Sequence, residues 1–381
     1  MKFMHLADLH IGKIVNGFSM LEDQIFILDQ IVQYVREYKP HAVVMAGDIY
    51  DRPVPNTEAV KVFDQFLTDL ARENTVVLII NGNHDSPERL GFASRIMYDR
   101  NIYLYGTLDG QMRKIPVEDE HGRVFFHLLP FIKPSIVRPF YTDAEIENSN
   151  DAVKAVIDAA ELDKNSRNVL VAHQFVISTG SEPERSESEI GPVGGIDSID
   201  ADMLKDFDYV ALGHLHGPQK IGFDHIRYAG SPLKYSFSEC HHKKSVTLVE
   251  LEEKGSMEIT RLPLKVRRDM RKIKGPIAEL MSDSIVAQGA PEDYLHITLT
   301  DEDEIFDAIG KIRSVYPNVM LLSFENARTE AISDFSEISP NDSIAPSELF
   351  GSFFLAQNGA EMSPEQAAAA NALLEQIGGE V

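Results

Sequence analysis

Cysteine is almost absent. Cys240 is the one cysteine in 381 residues, which excludes an internal disulfide framework and fits a reducing cytoplasm. No uninterrupted apolar run approaches the roughly 18 residues that a membrane-spanning helix needs. The opening, MKFMHLADLHIG, has no basic segment leading into a long apolar stretch, so a secretory leader is not expected. Basic residues are also scarce. Against 60 acidic side chains there are 36 Lys and Arg, and the net charge of -24 has the wrong sign for a protein that coats nucleic acid by charge alone. Part of the excess is local: no Lys or Arg follows Arg328, where nine acidic residues lie. The reverse holds over 261–274 (RLPLKVRRDMRKIK), with seven basic residues and one acid. That stretch reads either as a solvated strand or linker, or as a phosphate contact. The charge excludes broad, unaided DNA affinity but leaves local contact open.

What is present is a globular pattern. A hydrophobic fraction of 43% supports a full core, and the length suggests two domains with an appendage. Strand-like segments at 2–7, 42–46 (AVVMA) and 76–80 (VVLII) alternate with helical periodicity. Leu21, Ile25, Leu28, Val32 and Val35 mark one helix, closed by Pro40. Val60, Phe63, Leu67 and Leu70 mark a second, beginning near Pro55. This order implies parallel strands joined by crossovers. From about residue 102 the strands shorten, at 125–129, 169–172, 209–212, 226–229, 245–251 and 257–262, with helical pattern at 152–162. The expectation is an α/β sandwich of two sheets flanked by helices, the second half more antiparallel. Residues 178–198, rich in Gly, Ser and Pro, read as a long mobile loop. The domains expected are 1–264, a small α/β cap over 265–330 (helices at 276–284 and 302–315, strands at 294–299 and 319–324), and a tail over 331–381. The tail carries apolar patches at 349–355 (LFGSFFL) and 367–377, which either meet a partner or fold back on the cap.

Five short pieces stand at predicted strand ends: Asp8-Leu9-His10, Gly47-Asp48, Gly82-Asn83-His84-Asp85, Ala172-His173-Gln174 and Gly213-His214-Leu215-His216. Strand ends on one edge of an open α/β sheet converge, and sites on such folds form there. Carboxylate, imidazole and amide oxygen without thiolate suit hard or borderline divalent cations. Asp-x-His and His-x-His place both side chains on one face of an extended segment. A pair of cations about 3.5–4 Å apart can clamp a phosphoryl group and activate water, and a carboxylate between them offsets their repulsion. Each piece alone is common; the five together, in this order, are specific. His5, His127, His225 and His296 read instead as packed or surface residues, and His241 and His242 beside Cys240 as a surface loop.

The five pieces resemble the motifs of the calcineurin-like metallophosphoesterases. The surrounding wording (HLADLHIGK, GDIYDRPVPN, NGNHDSPERLGF, GHLHGPQ, YAGSPLKYSFSE) is closer still to the SbcD branch, the nuclease subunits of bacterial SbcCD complexes. The likeness covers about residues 1–330, densely over the phosphoesterase part and weakly over the cap. It implies a four-layer sandwich of two mixed sheets with an α/β cap and a helical tail. It implies that Asp8, His10 and His216 hold one metal, that Asn83, His173 and His214 hold another, and that Asp48 bridges. His84 would face the phosphate and Asp85 would orient the His84 ring. The cations would be Mn²⁺, with Mg²⁺ as the alternative. Some members carry a histidine three residues after the bridging aspartate; here the residue is Asp51.

The implied activity is an ATP-regulated DNA nuclease of repair, recombination and replication, with 3′–5′ exonuclease action on duplex ends and endonuclease action on hairpins or single strands. Its setting would be the cytoplasm, at the nucleoid when acting on DNA. The implied partners are DNA, an SbcC-type ABC ATPase bound through the tail, and a second copy of the chain. The dimer would use residues 56–71 and 88–97, where Leu90, Phe92, Ile96 and Met97 are apolar enough for an interface or for the core. A small-nucleotide phosphodiesterase and a scaffold component without turnover are the competing readings.

Overall fold

The computed structural model describes residues 1–178, 183–189, 197–326, 347, 350–351, 354–355 and 361–378. Much of the loop expected at 178–198, the start of the tail and residues 349, 352 and 353 of the patch at 349–355 lie outside these residues. The chain divides into two compact units, Met1–Asp269 and Met270–Val381; the boundary expected from the sequence lay five residues earlier, after 264.

In the first unit, β1 (Lys2–Leu6), α1 (Leu21–Tyr38), β2 (Ala42–Ala46), α2 (Thr57–Arg72), β3 (Val76–Ile80) and β4 (Ile102–Tyr105) follow in order. The four strands pair in parallel. They read as continuous apolar runs because both faces are covered; every residue of β2 is buried. Asn56 starts α2, its Oδ1 accepting the Ala59 N–H at 2.8 Å. Lys39, in the left-handed region, and Pro40 end α1.

The buried face of α1 differs from the expected stripe. Leu28, Val32 and Val35 are inside, but so are Ile27, Ile31 and Gln24, while Ile25 is 41% exposed. Two apolar stripes overlap on this helix, and the buried one brings in Gln24. Its Nε2 donates to the carbonyls of Leu9 at 3.2 Å and His10 at 2.7 Å, so a polar side chain supports the turn after β1. On α2, Val60 likewise faces solvent and Phe66 packs in its place.

The second sheet contains β5 (Arg113–Asp119), β6 (Gly122–Leu129), β7 (Arg167–His173), β8 (Tyr209–Gly213), β9 (Gln219–Ile221) and β10 (Phe223–Tyr228), with α3 (Ser149–Asp158) leading into β7. Its order is β9-β10-β8-β7-β6-β5. As expected, this half is more antiparallel than the first, although the centre of its sheet is parallel. β6, β7, β8 and β10 are parallel, and only β5 and β9 run against their neighbours. Long excursions, one of them through α3, return the chain to the same strand end. β11 (Ser245–Leu251) and β12 (Met257–Pro263) then complete the first sheet as β12-β11-β1-β2-β3-β4.

The two sheets share one apolar interior. Phe3 meets Phe126 and Tyr209 edge-on, with ring centres 5.4 and 5.5 Å apart. His5 lies fully buried beside them, accepting from the Tyr209 hydroxyl at 3.0 Å and donating to the Leu212 carbonyl at 3.1 Å as a neutral imidazole.

The second unit is a three-stranded parallel sheet, β13 (Met270–Gly275), β14 (Tyr294–Leu299) and β15 (Val319–Phe324), with α4 (Ala308–Arg313) packed on it through Ile312. The helix expected over 302–315 is shorter because Asp307, at φ 49°, caps it by accepting the Gly310 N–H. Much of the basic stretch is paired within its own unit, Arg267 and Arg268 with Glu22, Arg268 also with Asp23, and Arg271 with Asp293. That favours the strand-and-linker reading over a phosphate contact. A tail helix, α5, spans Pro364–Gly378. Among the described residues no helix is long and apolar enough to cross a membrane.

Burial lowers the His5 pKa from 6.5 to about 3. The unfolded chain therefore takes up this proton first as the solution is acidified. The contribution of His5 to stability is complete above pH 6.5 and declines toward pH 3, by at most about 1.4 kcal/mol per pH unit. His5→Gln is expected to flatten the acid limb of Tm against pH; an unchanged limb would refute the assignment.

Candidate active site

The carboxyl ends of the parallel strands of both sheets face the same region. β1 delivers Asp8 and His10, β2 delivers Asp48, β3 delivers Asn83, His84 and Asp85, β7 ends on His173, and β8 runs into His214 and His216. Four of these residues hold a positive φ without being glycine: Asp8 (54°), His10 (45°), Asp48 (49°) and His214 (113°). Such conformations cost about 1–3 kcal/mol each and persist only where surrounding structure enforces them. The glycines of the motifs follow from crowding. A Cβ on Gly82 would lie 2.0 Å from Asp48 Oδ1, and one on Gly213 would lie 1.9 Å from the Ala46 carbonyl oxygen.

Asp48 stands at the centre. Its Oδ2 lies 3.6 Å from His10 Nε2, 3.5 Å from His173 Nε2 and 3.9 Å from His84 Nε2, while Oδ1 accepts the His84 backbone N–H at 2.9 Å. On one side, His10 Nε2 and His216 Nε2 are 3.1 Å apart, with an Asp8 oxygen close by. On the other, Asn83 Oδ1 lies 3.0 Å from His173 Nε2 and 3.1 Å from His214 Nδ1. All seven residues expected to hold metal are thus brought together, in two groups with Asp48 between them.

The neighbours of each ring fix which nitrogen points inward. His173 Nδ1–H donates to the Ala46 carbonyl at 2.8 Å, which turns Nε2 inward toward Asn83 and Asp48. His216 Nδ1 faces Glu239 Oε1 at 3.1 Å and Ser188 Oγ at 2.9 Å, and its Nε2 points inward too. The Asp8 carboxylate accepts the His214 backbone N–H at 3.0 Å.

This donor set fits divalent cations. Asp48 Oδ2 stands off from three imidazole nitrogens at 3.5–3.9 Å, beyond a good hydrogen bond. Two ligands on one ion, at bonds of about 2.1 Å, are separated by about 3.0–3.4 Å. His10 Nδ1 is buried without a hydrogen-bond partner. The protonation pattern is frustrated in the same way. Burial raises Asp8 to about 7 and lowers His214 to about 3. Burial alone would lower His173, but the adjacent Asp48 carboxylate outweighs it and lifts the ring to about 9. Burial would likewise raise Asp48, and His173 holds it well below the ordinary range instead.

One expected role is corrected. Asp85 does not touch the His84 ring. Its carboxylate accepts three backbone N–H groups, from Tyr50 and Gly82 at 2.9 Å and Ile49 at 3.1 Å, and so ties the loop after β2 to the loop after β3. In this tight turn adjacent side chains diverge, and the His84 Nδ1–H donates instead to the Asp51 backbone carbonyl at 2.9 Å. Burial, aided by the neighbouring Asp48 charge, raises Asp85 to about 6. The Asp51 carboxylate turns toward Lys13 Nζ at 2.7 Å and lies 3.8 Å from His10 Nδ1.

Sequence reasoning overlooked the residues behind the inner set. Gln24 supports the His10 turn. Glu239 is fully buried, pairs with Lys244 Nζ at 2.6 Å, accepts the Ser188 hydroxyl at 2.7 Å and faces His216. Burial would raise its pKa, but His216 and Lys244 hold it well below the ordinary range. Glu189 Oε1 accepts the His216 backbone N–H at 2.6 Å. No strand-end position or alternation marks these residues; Glu239 stands only at the end of YAGSPLKYSFSE. Of the histidines read as packed, His5 and His127 are buried, the latter 2.9 Å from Asn168 Oδ1.

Comparison with known proteins follows the same lines. Residues 1–218 match the calcineurin-like phosphoesterase family model, and residues 266–358 match the model described as type 5 capsule protein repressor C-terminal domain. A Staphylococcus epidermidis protein named as the SbcD component of the nuclease SbcCD is 33% identical over 326 residues, covering 85% of each chain. Its namesake from Staphylococcus saprophyticus is 34% identical over 327 residues, 85% of this chain and 84% of the relative. Among solved structures, a dimetal phosphatase from Danio rerio aligns at 13% identity with a TM-score of 0.42, over 69% of this chain and 96% of that one.

A carboxylate behind a ligating imidazole orients the ring and raises its basicity, and its loss typically costs 10–100-fold in metal affinity. Glu239→Gln is therefore expected to weaken Mn²⁺ binding by about that factor, read by calorimetric titration. An unaltered isotherm would show that Glu239 serves the fold alone.

Proposed function

The chain belongs to the calcineurin-like phosphoesterases and, within them, to the SbcD nucleases of SbcCD complexes, and from that premise we propose that it cuts the phosphodiester backbone of DNA at the site centred on Asp48. The observation that carries the reading is the position of the Asp48 carboxylate between two groups of inward-facing donors. The cofactor is a divalent cation, and the proposed ions are a pair of Mn²⁺, with Mg²⁺ as the alternative. Asp8, His10 and His216 would hold one, Asn83, His173 and His214 the other, and Asp48 both. When bound, the pair supplies Lewis acidity toward the phosphate and an activated water.

The chain's own part is positioning and proton handling. With its Nδ1–H committed to the Asp51 carbonyl, His84 keeps Nε2, 19% exposed as a side chain, for the phosphate. That nitrogen protonates the leaving oxygen or donates to a non-bridging one. Asp85 keeps the loop carrying His84 in register with the loop carrying Asp48.

The finer activity we propose is 3′–5′ exonuclease action on duplex ends and endonuclease action on hairpins and single strands, in the cytoplasm at the nucleoid. The proposed partner is an SbcC-type ABC ATPase bound through the tail, whose surface offsets the chain's charge of -24 toward DNA. Homodimerisation is proposed through the segment after β3. Leu90 there is buried in the core, whereas Phe92 and Ile96 are 80% and 75% exposed.

His84→Ala is expected to retain metal and lose about 10²–10⁴ in the rate of Mn²⁺-dependent hairpin cleavage. Asp48→Ala is expected to lose both ions, as counted by elemental analysis. Two ions retained in the second variant, or full nuclease rate in the first, would overturn the corresponding role. A wild-type chain that hydrolyses a cyclic nucleotide but no DNA would place it with the small-molecule phosphodiesterases. Deleting residues 340–381 is expected to abolish co-purification with the ATPase while sparing hydrolysis of a small diester; an intact complex would refute the tail as the docking element.

A further inference from the structure

The cations around the mouth of the site fall into two groups. Beside His10 they share one carboxylate: Lys13 Nζ lies 2.7 Å from Asp51 Oδ1, and Arg52 Nε lies 3.6 Å from Asp51 Oδ2. Beside His173 and His214 the arrangement differs. Phe131 packs edge-on against His173 with ring centres 6.2 Å apart, and Phe175 packs against His214 at 6.0 Å. Lys133 Nζ stands 5.9 Å from the centre of the Phe131 ring, and the Arg185 guanidinium stands 4.4 Å over Phe175. Both cations are exposed, and among the described residues neither has an ion-pair partner. Nearby carboxylates are directed elsewhere. Glu184 Oε1 lies 3.8 Å from His242 Nε2, and Glu189 is engaged with the His216 backbone.

A cation held over a ring keeps its full charge, whereas a carboxylate partner would cancel it. In a chain of net charge -24, uncancelled cations beside the site stand out. The aromatic rings also set their positions, because each ring is itself packed on a histidine of the inner set. Lys133 and Arg185 thus each stand one aromatic ring removed from His173 and His214, beside the inner set rather than within it.

We propose that Lys133 and Arg185 bind the backbone phosphates flanking the scissile one, so that the substrate strand crosses the site on the His173–His214 side and not on the Asp51 side. This rests on the DNA-nuclease reading and adds the path of the polymer to it. The contacts are to phosphate and carry no base preference.

The test uses the full-length chain with Mn²⁺, a DNA hairpin with a single-stranded loop, and bis(4-nitrophenyl) phosphate, a diester with no flanking phosphate. Lys133→Ala and Arg185→Ala are each expected to raise KM for DNA by about 3–10-fold with kcat within about twofold, and the double variant by the product. The ratio of kcat/KM for DNA to that for the small diester falls by the same factors. The slope of log KM against log salt decreases by about 0.7 per lost contact on a single strand. Arg185→Lys restores most of the loss. An unchanged DNA KM and salt slope in the double variant would overturn the proposal, as would an equal loss on both substrates. A wild-type chain that cleaves the diester but not DNA would sink the nuclease reading itself, before any variant is compared.

Discussion

The organising constraint of this protein is electrostatic: the Asp48 carboxylate is buried within 3.5–3.9 Å of three imidazole nitrogens, and it must carry a charge there. Burying an ion is costly unless it is paired and hydrogen-bonded. Protein atoms alone do not resolve the site. Asp8 and His173 are pushed into the neutral-to-basic range, while His10 and His214 are pushed down. Two divalent cations among these donors would remove the conflict, since the carboxylates would be ionised and the rings neutral without strain between them. On this reading the site is built for ions first and for substrate second.

Holding such a site requires a rigid frame, and the paired sheets supply it. Parallel strands from both sheets end at the same level, so donors as far apart in the chain as Asp8 and His216 arrive from opposite sides. The local cost is visible at Asp8, His10, Asp48 and His214, each in a backbone region that side chains disfavour. Gly82 and Gly213 permit the close approach of the strands' ends. Asp85 and Gln24 act on backbone rather than on substrate, binding loops that otherwise would have unpaired polar groups in a buried setting. The same logic explains Glu239, which meets a buried imidazole on one side and a buried ammonium on the other.

The acidic character of the chain and its proposed substrate are reconciled by local arrangement rather than by net charge. Arg267, Arg268 and Arg271 of the basic segment 261–274 are committed to carboxylates of their own unit. Charge available to a phosphate backbone is found instead on Lys133 and Arg185, where aromatic rings hold it without cancelling it. On the proposed reading, a nuclease so constituted would grip few phosphates by itself and would draw affinity from the proposed ATPase partner.

The sequence by itself determined the strand–helix alternation of the first half, the donor types and the five strand-end pieces, because chemistry of this kind needs particular atoms and each motif is contiguous. It also determined the small α/β unit, since apolar periodicity survives in short segments. The second sheet's parallel core was hidden, because the returning connections are long and irregular and short strands resemble hairpins. Which stripe of α1 lies inside was hidden too, for a polar Gln24 belongs there only once the β1 turn needs its hydrogen bonds. Only the tertiary structure decided that His84 is held by the Asp51 carbonyl and not by its neighbour Asp85, and that Glu239 and Lys244 stand behind His216. Those relations are distances between remote backbone and side-chain atoms, and no local pattern of residues encodes a distance.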